Sequence, residues 1–162
     1  MTAELDLRVA TTADLDALVE LAVAFRDHLQ QRVPSAVAFA ASFARLLCDD
    51  ATEFLVAADA TRGRLLGYVQ VRYRDSAWTS GLNAELEDVF VAAAARRRGV
   101  GQRLVQFVLD RAAARGCVQV GLTTNERNAA ALSLYTGLGF TAERVRWDGG
   151  RQLWLEKPLA DG

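Results

Sequence analysis

The chain has 162 residues, 51% of them apolar, and its 19 basic and 20 acidic residues leave a net charge of −1. That length and apolar content suit a single domain over residues 1–162 with its own core, and the balanced charge excludes a general nucleic-acid binder, which needs a basic face. No stretch approaches the roughly 18 uninterrupted apolar residues of a membrane helix. Glu4 and Asp6 close behind Met1 do not make a secretory signal.

In chain order, residues 5–9 alternate as a short strand, and Thr11 or Thr12 can cap a helix with Asp14 and Asp16 in its first turn. Leu15, Leu18, Ala22, Phe25 and Leu29 recur down one face of that helix. The only histidine, His28, falls near its end and reads as a surface residue. Pro34 interrupts the pattern, and Ser35 can cap a second helix carrying Phe39, Phe43, Leu46 and Leu47. Cys48 closes that apolar pattern and Cys117 opens a later strand. With no His or Cys at metal spacing, both read as buried thiols, which points to a reducing, cytoplasmic setting and no metal site.

Residues 53–59 read as a strand, 60–64 as a turn around Gly63, and 65–74 as a longer strand with Gly67 a candidate bulge. Residues 75–84, with Trp78, Gly81 and Asn83, read as a loop before an apolar strand over 85–91. A helix is expected after Gly101, with Leu104, Val105, Val108, Leu109 and Ala112 on one side, ending at Gly116. Then come a strand over 118–123, a short helix over 128–137, a strand over 140–147, a tight turn at 148–150 and a last strand over 152–156. Hairpins give antiparallel pairs early in the chain. The later helical crossover makes 85–91 and 118–123 a parallel pair. A mixed α/β fold is expected: a central twisted mixed sheet with helices on both faces.

The segment between strand and helix carries the chemistry. Arg96, Arg97 and Arg98 precede Gly99-Val100-Gly101, so a helix N-terminus with unpaired amides follows directly on donors that match phosphate oxygens. Two other phosphate motifs fail here: Leu104 stands where the dinucleotide fingerprint needs its third glycine, and the only lysine, Lys157, is far from any P-loop position. The remaining pattern, Arg-x-x-Gly-x-Gly from Arg96, resembles the acetyl-CoA pyrophosphate loop of the GCN5-related N-acetyltransferase (GNAT) family. A second stretch agrees with it. Asn128, Ala131, Leu134, Tyr135, Gly139 and Phe140 meet the fixed positions of that family's Asn-x-x-Ala-x-x-Leu-Tyr-x-x-x-Gly-Phe pattern. On a helix, Asn128, Ala131, Leu132 and Tyr135 share one face.

The resemblance implies two splayed parallel strands that admit acetyl-CoA as co-substrate. Val89, Phe90 and Val91 would pair with its pantetheine arm through the backbone, and an N–H at Phe90 or Val91 would polarise the acetyl carbonyl. Arg96, Arg97, Arg98, Gly99, Val100, Gly101 and Gln102 would cradle the pyrophosphate, and Asn128 and Ala131 would line the arm. Tyr135 would protonate the departing sulfur. The Leu86-Glu87-Asp88 triplet, with Trp78 upstream, resembles the polyamine branch, in which the glutamate relays the proton of the amine; Glu87 is therefore the expected base. Glu85 and Glu87 are expected on one face of the strand with Val89 and Val91, and Asp88 on the other. The family often has glycine where Arg97 stands.

Transfer of acetyl from a thioester to an amine needs a neutral amine, a stabilised oxyanion and a proton for the leaving thiolate, but no covalent intermediate. The expected acceptor is a small primary amine such as a polyamine, an amino acid or an aminoglycoside. Trp78, Glu85 and Glu87 would line its site, and Asp27 and Asp75 would add attraction for a cation. The alternatives are acetylation of a protein lysine or N-terminus, and a non-catalytic acyl-CoA-binding regulatory module. By analogy with the family, a homodimer could form through a last hairpin from Trp147 to Leu155, with Trp154 exposed.

Overall fold

The computed structural model describes residues 4–142 and 153–160. Five strands form one sheet in the order β1 (Leu5–Val9), β2 (Thr52–Asp59), β3 (Leu65–Ser76), β4 (Gly81–Val91) and β5 (Gln119–Leu122). Neighbours are antiparallel except β4 and β5, which are parallel through a helical crossover. The mixed sheet and its two-sided helical cover match the sequence expectation. Helices α1 (Leu15–His28) and α2 (Ala36–Leu46) cover one face, where Leu18, Phe43, Phe54, Tyr68 and Phe90 pack together. Helices α3 (Val100–Ala114) and α4 (Ala129–Gly137) cover the other, burying Leu104, Val105, Val108 and Tyr135 against Val69, Val71 and Leu86.

Local chemistry sets the element ends. Arg8 holds Asp14 through two 2.8 Å bonds, and Asp14 in turn accepts from the Thr11 amide, so the entry to α1 is tied to β1. Ser35 caps α2 by accepting from the amide of Ala38. His28 is exposed at the end of α1, as expected.

Four expectations need correction. Residues 75–84 are not a loop: β3 continues to Ser76 and β4 starts at Gly81, so a tight turn over 77–80 closes a long hairpin. Cross-strand pairing from Asp75↔Leu82 to Tyr73↔Ala84 stabilises this extension despite its polar side chains. Cys48 is exposed, because α2 ends at Leu46 and the thiol falls in the turn that follows; Cys117 is half-buried. The helix expected after Gly101 begins at Val100, with Gly99 as its N-cap and Gly101 inside the first turn. Of the last expected strand, residues 153–156 carry no strand assignment; residues 143–152, which hold most of the strand over 140–147, the 148–150 turn and Trp147, lie outside the described range.

Gly67 is fixed by its neighbours. A Cβ there would stand 2.7 Å from the carbonyl oxygen of Phe90, and the β2–β3 register shifts beside it, between Ala57 and Ala58.

Candidate functional site

Strand β4 is the axis of the site. Its residues 83–86 pair with 119–122 of β5, but 87–91 have no pairing from β5, while β3 pairs with the strand as far as Val91. One edge of 87–91 is thus open, where an extended polar chain could add as a further strand.

The turn beyond that edge is a cradle of amides. The first amide of α3 with a backbone acceptor is Arg103, which bonds to the carbonyl of Gly99; the N–H groups of residues 97–102 have no described acceptor. Arg97 (φ 61°) and Gly99 (φ 73°) both adopt left-handed backbone, and such alternation turns successive amides into one anion-binding concavity. The Arg97 and Arg98 side chains are exposed, without a described partner. Arg96 differs: its Nε donates to the carbonyl of Val91 at 3.0 Å and its guanidinium lies 5.5 Å from the Phe90 ring centroid. Its side chain braces the turn instead of pointing into the cradle.

Helix α4 closes the same end of the cleft. A Cβ on Gly101 would lie 3.6 Å from Val91 Cγ2 and 3.7 Å from Leu134 Cδ2, so α3, α4 and β4 converge there. Tyr135 is 8% exposed and packs edge-on against Phe140, with ring centroids 5.7 Å apart. Its hydroxyl makes no hydrogen bond among the described residues, yet no buried polar side-chain atom is left unsatisfied, so the hydroxyl must reach accessible space. Burial raises its pKa, which keeps the phenol protonated and able to donate. Asn128 caps α4, its Oδ1 accepting from the Ala131 amide at 3.1 Å. Ala131, Leu134 and Leu138 pack into the same cluster as Tyr135.

The carboxylates are placed otherwise than simple alternation predicts. Gln70 pairs with Asp88 and Val71 with Leu86, so Glu87 is the extra residue of a β-bulge. Glu87 accepts from Gln70 Nε2 at 2.8 Å, and Asp88 meets the Tyr68 hydroxyl at 3.4 Å. Gln70 and Tyr68 alternate with the α3-facing Val69 and Val71, so both acids lie on the opposite side of the sheet from Val89 and Val91. The expectation that Glu87 shares a face with these valines is corrected: the bulge slips the alternation by one residue. Burial raises the pKa of Glu87; the Arg72 charge opposes that, and Glu85 and Asp88 add to it. Arg72 Nε stands 3.7 Å from Glu87 Oε1. Burial also raises Asp88, against the bond from Tyr68.

Gln70, Arg72, Tyr68 and Asp88 were not foreseen as a set. The alternation of Tyr68, Gln70, Arg72 and Arg74 does put them on one face of β3, but the bulge that delivers Glu87 to them leaves no mark in composition. The expected cation attractors separate: Asp27 is paired with Arg26 at 2.7 Å, and Asp75 alternates to the face away from Arg74. Glu85 and Trp78 do lie together, along a groove over β3, β4 and β5. Among the described residues, no group of three or more His, Cys, Asp or Glu could hold a metal, and no helix is long and apolar enough to cross a membrane.

Comparison with known proteins bears on family and fold. The model of the acetyltransferase (GNAT) family matches residues 15–140. Glucosamine 6-phosphate N-acetyltransferase 1 of Oryza sativa subsp. japonica is 35% identical over 136 residues, 80% of each chain. Thialysine N-epsilon-acetyltransferase of Bos taurus is 33% identical over 75 residues; the match spans 46% of this chain and 44% of that enzyme, less than half its length. The crystal structure of a "probable acetyltransferase" superposes with a TM-score of 0.84 over 94% of this chain and 99% of that one; at 23% identity the likeness is one of fold.

Proposed function

The chain belongs to the acetyltransferase (GNAT) family, and from that membership we propose that it is an acetyl-CoA-dependent N-acetyltransferase acting on a primary amine of a small molecule. The observation that carries this reading is the open edge of β4 over 87–91, which leads directly into the unpaired amides of 97–102. Diphosphate fits that concavity, because the amides and the Arg97 and Arg98 guanidinium groups offer donors with no competing partner. When bound, acetyl-CoA supplies an activated acyl group as a thioester. Two relatives take small amines, thialysine and glucosamine 6-phosphate by name, which supports a small-amine acceptor, while a third acts on a ribosomal protein by name.

Each side chain then has one task. Glu87, with a pKa raised by burial, accepts the proton that an ammonium must lose before it can attack. Tyr135, protonated in its apolar setting, gives a proton to the leaving sulfur. The Ala92 N–H bonds to β3, so alternation turns the Phe90 N–H to β3 as well and leaves, of the two expected donors, the Val91 N–H on the open edge to stabilise the developing oxyanion. A module that only bound acyl-CoA would need neither the acid nor the base.

The test is thiol release from acetyl-CoA with a panel of amines. Tyr135→Phe should lower turnover by one to two orders of magnitude, roughly 1.4–2.8 kcal/mol of transition-state stabilisation, with little change in acetyl-CoA affinity. An unchanged turnover number would remove Tyr135 from the mechanism. Cytoplasmic residence and a homodimer belong to the same proposal. The exposed Leu153, Trp154 and Leu155 are suited to a contact between copies, and a monodisperse monomer in light scattering would exclude the dimer.

A further inference from the structure

The groove over β3, β4 and β5 has a volume of about 440 Å³, and its described lining comes from those strands and the 77–80 turn. The register puts Arg74 beside Asn83, Arg72 beside Glu85, Asn83 beside Gln119 and Glu85 beside Gly121, so these residues share one face of the sheet. A Cβ on Gly121 would meet nothing within 4 Å, which leaves the floor open opposite Glu85. Trp78 and Thr79 border one end, where the Thr79 hydroxyl donates to Asn83 Oδ1 at 2.8 Å. Glu87 follows Glu85 on β4, at the point where β5 pairing ends.

The charges along this face are mixed. Arg74 is exposed with no described ion pair, whereas Arg72 already leans on Glu87. Glu85 and Glu87 favour an ammonium at the splayed end, and the free Arg74 guanidinium favours an anion toward the turn. A polycation lying in the groove would bring a second positive charge to Arg74. From Asn83, the partner of Arg74, to Glu87 is four residues, about 13 Å along the strand before side-chain reach is subtracted.

We propose that the acceptor carries an anionic group, a carboxylate or a phosphate, several bonds from its reacting amine, and that Arg74 binds that group in the groove. This rests on the acetyltransferase reading and narrows its substrate class from amines in general to zwitterionic amines, setting polyamines aside.

The experiment compares three acceptors of similar length: 6-aminohexanoate, hexylamine and 1,6-diaminohexane, whose far ends are anionic, neutral and cationic. With the full chain and saturating acetyl-CoA, kcat/KM should fall in that order, by about tenfold from the first to the last. In Arg74→Gln the advantage of the carboxylate over hexylamine should shrink to near one. In Arg74→Glu the order should reverse, which general damage to the fold cannot produce. 5-Aminopentylphosphonate, with phosphorus in place of the carboxyl carbon, then distinguishes a phosphate-like anion from a carboxylate as the preferred group. Preference of the wild-type enzyme for 1,6-diaminohexane, or an unchanged ratio in Arg74→Gln, overturns the anion requirement alone. Binding of acetyl-CoA with no turnover of any of the amines overturns the acetyltransferase reading and the anion requirement together.

Discussion

Glu87 derives its properties from burial and from two neighbours on β3. Burial favours its neutral form, Arg72 opposes that from 3.7 Å, and Gln70 donates to the charged carboxylate at 2.8 Å. Removing the amide of Gln70 withdraws a bond that only the ionised form can fully use, so the pKa of Glu87 should rise. With Glu87 as the base, Gln70→Leu should move the acid limb of the kcat/KM profile to higher pH. A general loss of packing would lower the rate at every pH and leave the limb in place; a pH–rate profile separates the two. Arg97 illustrates a different constraint. It holds φ 61°, a conformation that favours glycine by about 1–2 kcal/mol, so the long side chain is retained against backbone preference. Arg97→Gly should raise stability by about 1 kcal/mol in urea unfolding while weakening acetyl-CoA binding. Unchanged acetyl-CoA affinity would show that its guanidinium takes no part in the cradle.

At the scale of elements, the sequence disclosed what is repeated and concealed what is single. Helical spacing located α1, α2 and α3, and the glycines after the arginine run placed the turn before α3, because each pattern involves several residues whose effects add. The asparagine and tyrosine of α4 could be read from their motif, though Asn128 spends its side-chain oxygen on a cap. Three features went unread. The polar ends of β3 and β4 pair through backbone and have no apolar alternation to mark them. The bulge at Glu87 is set by how two strands meet. The bracing role of Arg96 depends on where the Val91 carbonyl ends up. The same strand pair accounts for Gly67. A Cβ there would stand 2.7 Å from the Phe90 carbonyl oxygen, so its absence lets β3 pair closely with the segment of β4 whose other edge is open. Gly67→Ala should force the strands apart, costing about 1–3 kcal/mol in thermal or urea unfolding and raising KM for acetyl-CoA. Wild-type stability in that variant would show that β4 can shift without cost.

Across the whole molecule, the two helical layers are locked to the sheet differently. On the α1–α2 side aromatic rings contribute much of the packing, with Phe43, Phe54 and Tyr68 in mutual contact and Phe25 stacked on Phe90. On the α3 side, buried Glu53 of β2 accepts from Arg111, Arg115 and the Tyr73 hydroxyl at 2.7–3.1 Å, and the Arg115 guanidinium lies 3.9 Å from the Tyr73 ring centroid. Burial pushes the Glu53 carboxyl up, but the bonds from Arg111 and Tyr73 and the two arginine charges outweigh it, so its pKa lies below the usual value. A depressed folded pKa contributes stability that is present above the unfolded value, about 4.3, and is lost as pH falls through the folded value. Glu53→Gln should cost about 2 kcal/mol at pH 7 and flatten the fall in Tm between pH 5 and pH 3, roughly the range of these carboxylate values. An equally steep fall in the variant would place the acid sensitivity elsewhere. The bulge at Glu87 has a consequence for how such a molecule can diversify. It acts as a phase boundary: before it, residues 83 and 85 look onto the groove, and after it, residues 89 and 91 look to the other side. On the proposed acetyltransferase reading, changes at 83 and 85 therefore leave the face of Val89 and Val91 intact, so acceptor preference can drift, or be redesigned, without altering that face. A strand of unbroken alternation would tie the two together.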